Sequence, residues 1–410
     1  MVEKTVVAAL DIGTTKVCCF IAEVDEGGQI RVVGIGHQAS AGLRAGTVVE
    51  MGPAEQAVLS AVHAAERMAG TTIRAVVVGT TGGQPQSRTA LFEVPVDSAA
   101  IGDRDIRRVL ERGGMAPQQD GRFTIHAIPV GFAVDGTNGS RDPRGLHGRM
   151  LGVKLHTLTA NIGTVRNLST CVARCHLDVA DFALAPYAAG LGVLVDDEMD
   201  LGVTVIDMGG GTTSVAVFCD GALVFADSVP IGGSHVTNDI ARGLSTPLWA
   251  AERVKTLHGS CLPTPSDEHE VIGVPQVGEE DEEQQYPKSH LVRIIAPRVE
   301  ETLELVRSQL VAAGADRLGG RRVVLTGGAS QLPGVRELAG FILDKQVRLG
   351  RPIGVTGLAE ATQGPEFAVC TGLLSYAVDD RGETRPGAAS SGEPRTNWLG
   401  RIGGWFRENF

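Results

Sequence analysis

The chain has 410 residues, 43% of them hydrophobic and 21% charged, and a formal net charge of −11. That length holds two or more domains, each with its own core. The acidic balance excludes a general nucleic-acid binder, which carries a basic face or stripe. The seven cysteines lack CxxC spacing and read as reduced thiols buried as small apolar residues. The first residues, MVEKTVVAALDIG, lack the basic start and long apolar run of a signal peptide. No apolar stretch approaches the ~20 residues needed to span a bilayer, so the body of the chain is expected to be cytoplasmic.

In chain order, the first informative segment is TVVAALDIGTTKVCCFIAEV, residues 5–24. An apolar run ends at Asp11, a Gly/Thr turn follows, and a β-branched run resumes at Val17, which reads as a strand–turn–strand hairpin. Gly13 lets a phosphate approach the backbone, Thr14 and Thr15 offer hydroxyls and amides, and Lys16 offers a positive charge. Asp11 at the strand end could hold Mg²⁺ through water. A plain hairpin turn is the other reading of this segment alone. Within 82–161, GQPQSRTALFEVP, RFTIHAIPVGFAVDG and HGRMLGVKLHTLTA alternate apolar positions as strands do. ALAPYAAGLGVL (183–194) and FAVCTGLLSYAV (367–378) have the small-residue apolar pattern of closely packed helices.

Residues 201–233 repeat the first pattern: a strand ends at Asp207, Gly209, Gly210, Gly211, Thr212 and Thr213 form the turn, and an apolar strand resumes. Asp-x-Gly…Thr-Thr thus occurs twice, 196 residues apart, in matching strand contexts. A duplicated fold leaves such a trace, with two hairpins facing each other across a cleft, gripping phosphates from both sides, and Asp11 and Asp207 sharing one metal ion. In RRVVLTGGASQLPGVRELAGFIL (321–343) a strand ends at Thr326 and a helix begins near Pro333. Gly327 and Gly328 between them would let a flat ring lie against the turn; an ordinary strand-to-helix connection is the alternative. The run EEDEE (279–283) reads as a solvated loop, because it lacks the alternating ligand spacing of a calcium loop. Arg298, in IIAPRVEETLELV, is expected at the start of a helix.

The C-terminus is loaded with aromatic residues. DDRGETRPGAASSGEPRT (379–396) reads as a flexible tether. On a helix at 100° per residue, Trp398, Leu399, Ile402, Trp405, Phe406 and Phe410 fall within an arc of about 140°, with Arg401 and Arg407 outside it. Apolar rings beside arginines fit a helix lying in a membrane interface, the arginines favouring anionic lipid. A helix docked on the protein's own body or on a partner is the competing reading.

DIGTT, IDMGGGTT and VVLTGGAS resemble the phosphate-one, phosphate-two and adenosine motifs of the actin-like ATPases. HAIPVGFAVDG, VTNDIARGLSTP and the amphipathic terminus narrow the resemblance to the FtsA family of bacterial division proteins, over nearly the whole chain. The resemblance implies an α/β, actin-like (ribonuclease H-like, duplicated) two-lobed ATPase fold. Its subdomains would be 1A (1–81 and 162–198), 1C (82–161), 2A (199–241 and 315–378) and 2B (242–314). A linker (379–395) and an amphipathic membrane-targeting helix (396–410) would follow. The cofactors implied are ATP and Mg²⁺, gripped by Asp11, Gly13, Thr14, Thr15, Lys16, Asp207, Gly209, Gly210, Gly211, Thr212, Gly327, Gly328 and Ala329. Glu252 and Lys255, three apart on one helix face, match the family's acid and base that reach the nucleoside; a solvent-facing charge pair is the alternative. Arg298 matches an arginine near which the family docks the C-terminal tail of FtsZ; a helix-surface arginine with no special role is the alternative.

The implied function is an ATP-binding scaffold that polymerises on the cytoplasmic face of the inner membrane and tethers FtsZ filaments there. Its partners would be FtsZ, further copies of itself, membrane lipids and other division proteins. One departure bears on turnover. Chaperone ATPases of the superfamily carry a glutamate where this chain has Ala185, so slow hydrolysis at most is expected. An ATP-dependent enzyme of the same fold, such as a sugar kinase, is the rival reading; no segment supplies its catalytic carboxylate. A chaperone ATPase is a second rival, but the sequence stops where a peptide-binding domain would begin.

Overall fold

The computed structural model describes residues 5–97, 100–115 and 120–378. The expected linker and terminal helix, with every proposed membrane-binding residue from Trp398 to Phe410, lie outside the described residues. Strands β1 (Thr5–Ile12), β2 (Lys16–Val24) and β3 (Ile30–Ala39) form an antiparallel meander. A small hairpin, β4 (Leu43–Arg44) and β5 (Thr47–Val48), leads into α1 (Met51–Ala69), and β6 (Ala75–Thr80) returns parallel to β1.

The chain then leaves the first lobe for an inserted domain. Here β7 (Gln86–Pro95), α2 (Asp103–Gly114), β8 (Arg122–Val134), β9 (Thr137–Ser140) and β10 (Met150–Asn161) build a four-stranded sheet ordered β7-β10-β8-β9. Its small core joins Ile106 and Val109 of α2 to Leu151 and Val153 of β10. Helix α3 (Ile162–Arg174), whose first amides are capped by the Asn161 side chain, carries the chain back to the first lobe. Strand β11 (Asp178–Leu184) pairs parallel with β6, and helix α4 (Ala185–Val193) follows directly.

The second lobe opens with α5 (Asp196–Leu201) and a second meander, β12 (Val203–Met208), β13 (Thr213–Cys219) and β14 (Ala222–Val229), then α6 (Gly233–Gly243). An appended unit contains α7 (Leu248–His258), the hairpin β15 (Val271–Gln276) and β16 (Glu279–Pro287), and the long α8 (Lys288–Ala312). The chain returns through α9 (Ala315–Leu318), β17 (Arg322–Thr326), α10 (Val335–Leu343) and β18 (Gln346–Leu349), both strands running parallel to β12. Finally β19 (Val355–Thr356) joins the edge of β3, and α11 (Ala368–Val378) crosses α4.

The strand order β14-β13-β12-β17-β18 repeats β3-β2-β1-β6-β11 strand for strand, with the same parallel and antiparallel pairings. The chain therefore holds the duplicated unit that the paired turns suggest. Helices α4 and α11 join the two copies. Both are apolar on all sides and almost wholly buried, as a helix between two sheets must be. Through them one core runs from Leu10 and Phe20 in the first lobe to Val205, Phe218 and Val324 in the second. A second core fills the far side of the second lobe, between β12, β17, α6, α8 and α10.

Two expectations need correction. The acidic run 279–283 is not a loop: it enters β16 and pairs with β15. Glu and Asp are poor strand formers, but the positive-φ turn at Gly278 sets the hairpin that brings the run against β15. Arg298 is not at the start of a helix: it sits within the 25-residue α8, directly after Pro297, which the helix accommodates. All seven cysteines are free, six buried and Cys219 partly exposed. Among the described residues no helix is long and apolar enough to cross a membrane.

Candidate functional site

The two hairpin turns are built alike. In the first, the Gly13 amide donates to the Lys16 carbonyl at 2.9 Å; in the second, the Gly209 amide donates to the Thr212 carbonyl at 2.9 Å. Each turn follows an aspartate near the end of the central strand of its sheet. Asp11 lies in register between Cys18 of β2 and Gly79 of β6, and Asp207 between Ser214 of β13 and Thr326 of β17. The turns meet face to face. A Cβ at Gly210 would collide with the side chain of Thr15, and one at Gly211 with the side chain of Thr14. Only a backbone without side chains lets the two lobes approach this closely.

Asp207 senses the charge of Asp11 across this contact. Burial lifts the Asp11 carboxyl to about 6, against the pull of the Lys16 ammonium. Burial, followed by the charge of Asp11, lifts Asp207 to about 7, again opposed by Lys16. Two acids held so far above their usual range want a cation beside them. On the strands beside them, Thr80, Thr213 and Ser214 carry buried hydroxyls with no hydrogen-bond partner. A hard divalent ion such as Mg²⁺ fits two carboxylates and hydroxyl oxygens, while burial keeps the neighbouring Cys370 thiol protonated and so offers no thiolate to a softer metal. The described residues contain no group of three His, Cys, Asp or Glu able to form a complete protein cage. An ion here would keep waters or ligand oxygens, as Mg²⁺ does.

Around the turns, several segments converge. Thr14 accepts the Gly46 amide at 2.9 Å, which fastens the β4–β5 hairpin to the first turn. Lys16 donates from Nζ to the carbonyl of Glu366 and lies 3.9 Å from the centroid of the Phe367 ring. The amides of Gly233 and Ser234 donate to the carbonyls of Gly209 and Gly210 at 2.9 and 2.8 Å, so α6 starts on the second turn. Gly327, at φ 82°, follows β17 and donates to the Pro365 carbonyl, and a single 3₁₀ turn, Gly328–Gln331, leads away from it. A Cβ at Gly233 would lie 3.2 Å from that of Ala329, which brings the third turn beside the start of α6.

Glu252 and Lys255 are more than a solvated pair. Lys255 Nζ bonds Glu252 at 2.7 Å, Thr237 Oγ1 at 2.9 Å and the Gly233 carbonyl at 3.2 Å, while Thr237 also donates to Glu252. The pair is tied to the first turns of α6 and thereby to the third glycine turn. Asp11 to Lys16, Asp207 to Thr212, Glu252, Lys255 and Gly327 to Ala329 thus form one continuous surface where the lobes meet. Arg298 does not join it. Its guanidinium holds Asp239 of α6 at 2.6 Å and also pairs with Glu301.

Three segments of this surface escaped the sequence reading: Gly79–Gly83, Gly232–Gly233 and Pro365–Phe367. The first had a readable signal. VVVGTTGG at 76–83 occupies in the first copy the place of VVLTGG in the second. A cavity of about 1010 Å³ lies away from this surface, beside α1, lined by Gln38, His63, Glu66 and Arg67. Direct packing of the two turns leaves little space between them.

The profile described as "Cell division protein FtsA" matches residues 204–372, and that described as "SHS2 domain inserted in FTSA" matches residues 82–159. Cell division protein FtsA of Rhizobium meliloti is 44% identical over 99% of this chain and 95% of its own length. FtsA of Escherichia coli K12 is 31% identical over 100% and 99%. Among solved structures, the PilM-PilN type IV pilus biogenesis complex aligns at TM-score 0.64 and 19% identity, over 91% of this chain and 98% of that one. MreB 5 of Spiroplasma citri bound to AMPPNP aligns at TM-score 0.53 and 14% identity, over 91% and 96%. The duplicated sheets are therefore an actin-like fold, and the chain belongs to the FtsA family of cell division proteins.

Proposed function

We propose that the chain binds ATP with Mg²⁺ between its lobes and, in that state, polymerises on the cytoplasmic face of the inner membrane. There it tethers FtsZ filaments through its C-terminal helix and helps assemble the septal ring with other division proteins. One observation carries the nucleotide reading: two buried carboxylates with raised pKa values sit behind two glycine turns that touch. Bound Mg²⁺ would supply charge neutralisation for the phosphate oxygens. The chain's own residues do the positioning. The amides of Gly210–Thr212 and of Thr14 and Thr15 would offer donors to phosphate from opposite sides, those of Gly13 and Gly209 being spent inside their turns, and Asp11 and Asp207 would hold the ion. Lys255 and Glu252 would take the nucleoside, and Gly327, Gly328 and Ala329 would hold its base.

The subdomain boundaries read from the sequence belong to this proposal, with 82–161 as subdomain 1C and 242–314 as 2B. Turnover is slow on this reading, because α4 begins with buried Ala185 and offers no carboxylate there to orient water. An acidic FtsZ tail reaching Arg298 must displace or share Asp239 and Glu301, so its binding weakens with salt.

The test combines calorimetry and sedimentation. Mg-ATP should bind the full chain and bind Asp207→Ala at least tenfold more weakly. The full chain with ATP should carry FtsZ down with anionic liposomes, and a chain ending at Gly392 should not. Equal ATP affinity in folded Asp207→Ala would remove Asp207 from the site.

A further inference from the structure

The inserted domain is rooted in the first lobe at both ends, entered from β6 and left through α3. It nevertheless holds the second lobe at two separate places. Ser87, in β7, bonds both backbone groups of Ala226 in β14: its Oγ donates to the carbonyl at 2.8 Å and accepts the amide at 2.9 Å. Strand β14 is the outermost strand of the second sheet, so Ser87 satisfies edge groups that no strand covers. Arg141, after β9, reaches Asp200 of α5 at 3.3 Å and Asp220 of the β13–β14 turn at 3.4 Å.

The same domain also touches the pivot. Where α4 and α11 cross, a Cβ at Gly192 would collide with the carbonyl of Ala368, and one at Gly372 with that of Ala188. His126 of β8 reaches this crossing: its Nε2 accepts the Leu184 amide at 2.9 Å, immediately before α4. Its ring stands edge-on to Tyr187 of α4 at 5.0 Å and to Tyr376 of α11 at 5.5 Å. A body joined covalently to one lobe, bonded to the other and seated against both crossing helices cannot stay still when the lobes rotate.

We propose that the inserted domain is a releasable strap that fixes the angle between the lobes. Opening them requires Ser87 to leave Ala226 and Arg141 to leave Asp200 and Asp220. The grip is suited to release. Arg141 is about two-thirds exposed, and exposed ion pairs contribute little in water. Two such points, in addition to the contact at the crossing, hold the domain to the second lobe at separate places. This inference stands apart from the nucleotide reading, since the contacts involve no residue of that surface.

The test is the distance distribution between spin labels on exposed Met68 of α1 and exposed Phe341 of α10. It uses the full chain free of nucleotide, with the labels carried on a keto amino acid to spare the cysteines. Wild type should give one narrow distribution. Ser87→Ala combined with Arg141→Glu should broaden it and extend it to longer distances, with helix content unchanged. The swap Arg141→Asp with Asp200→Arg and Asp220→Arg, keeping Ser87, should narrow it again. A broad distribution in wild type, an unchanged one in the folded double variant, or no recovery in the swap would overturn the strap.

Discussion

Asp207 illustrates how a single residue can be costly alone and valuable when occupied. The folded Asp11 and Asp207 carboxyls titrate at about 6 and about 7, above the ordinary 3.8. Protein free of metal and nucleotide therefore gains stability from this pair at low pH and loses it as pH rises through those values. Asp207→Asn removes the charge and relieves Asp11, so its melting temperature at pH 8 should exceed wild type by on the order of a few degrees. The gain should shrink toward pH 5. Added Mg-ATP should reverse the order, raising the wild-type melt more than the variant's. A variant no more stable than wild type across pH 5–8, without ligand, would show that the pair is not strained. Gly211 carries the complementary constraint: Gly211→Val drives a branched side chain into Thr14 and should prop the turns apart. We expect at least a tenfold loss of Mg-ATP affinity by calorimetry, whereas Gly211→Ala should lose less.

At the scale of elements, the hairpins around Asp11 and Asp207 were legible because apolar runs stop at an aspartate and resume after Gly/Thr. Their signals are local, and the structure repeats them in register. The β16 strand was not legible. Its acidic start contradicts strand propensity, and only pairing with Val274 and its neighbours across the hairpin reveals it. The position of Arg298 was misread for a related reason: Pro297 signals a helix start, yet α8 runs on through it, packed along Leu291, Ile295, Val299 and Leu303. The turn at 79–83 was missed because its glycines look ordinary until β6 is matched with β17. Crossing helices α4 and α11 give this scale its own prediction. Gly372→Ala places a methyl against the Ala188 carbonyl in a core with no room to yield. It should lower stability by roughly 1–3 kcal/mol in urea unfolding, whereas Gly52→Ala on the exposed side of α1 should not.

For the whole molecule, the proposed function joins a two-lobed body to a terminal segment that would attach it to the membrane. Residues 396–410, proposed as the anchor, carry Trp405 and Phe406 near the middle of the apolar arc. Three glycines, at 400, 403 and 404, oppose helix formation in water, so on this proposal lipid contact would supply the ordering through partial burial of the rings. A single weak helix binds reversibly, and several held on one polymer bind firmly, because each further helix engages at high effective concentration. Changing both Trp405 and Phe406 to Glu removes ring burial and adds two charges that must stay hydrated at the lipid boundary. Sedimentation with anionic liposomes should fall severely, while Mg-ATP affinity stays at the wild-type value. Changing Arg401 and Arg407 to Gln should act differently, weakening binding mainly to anionic vesicles and least at high salt, where screening has already removed the attraction. Wild-type sedimentation by the double Glu variant would assign membrane attachment to another part of the chain.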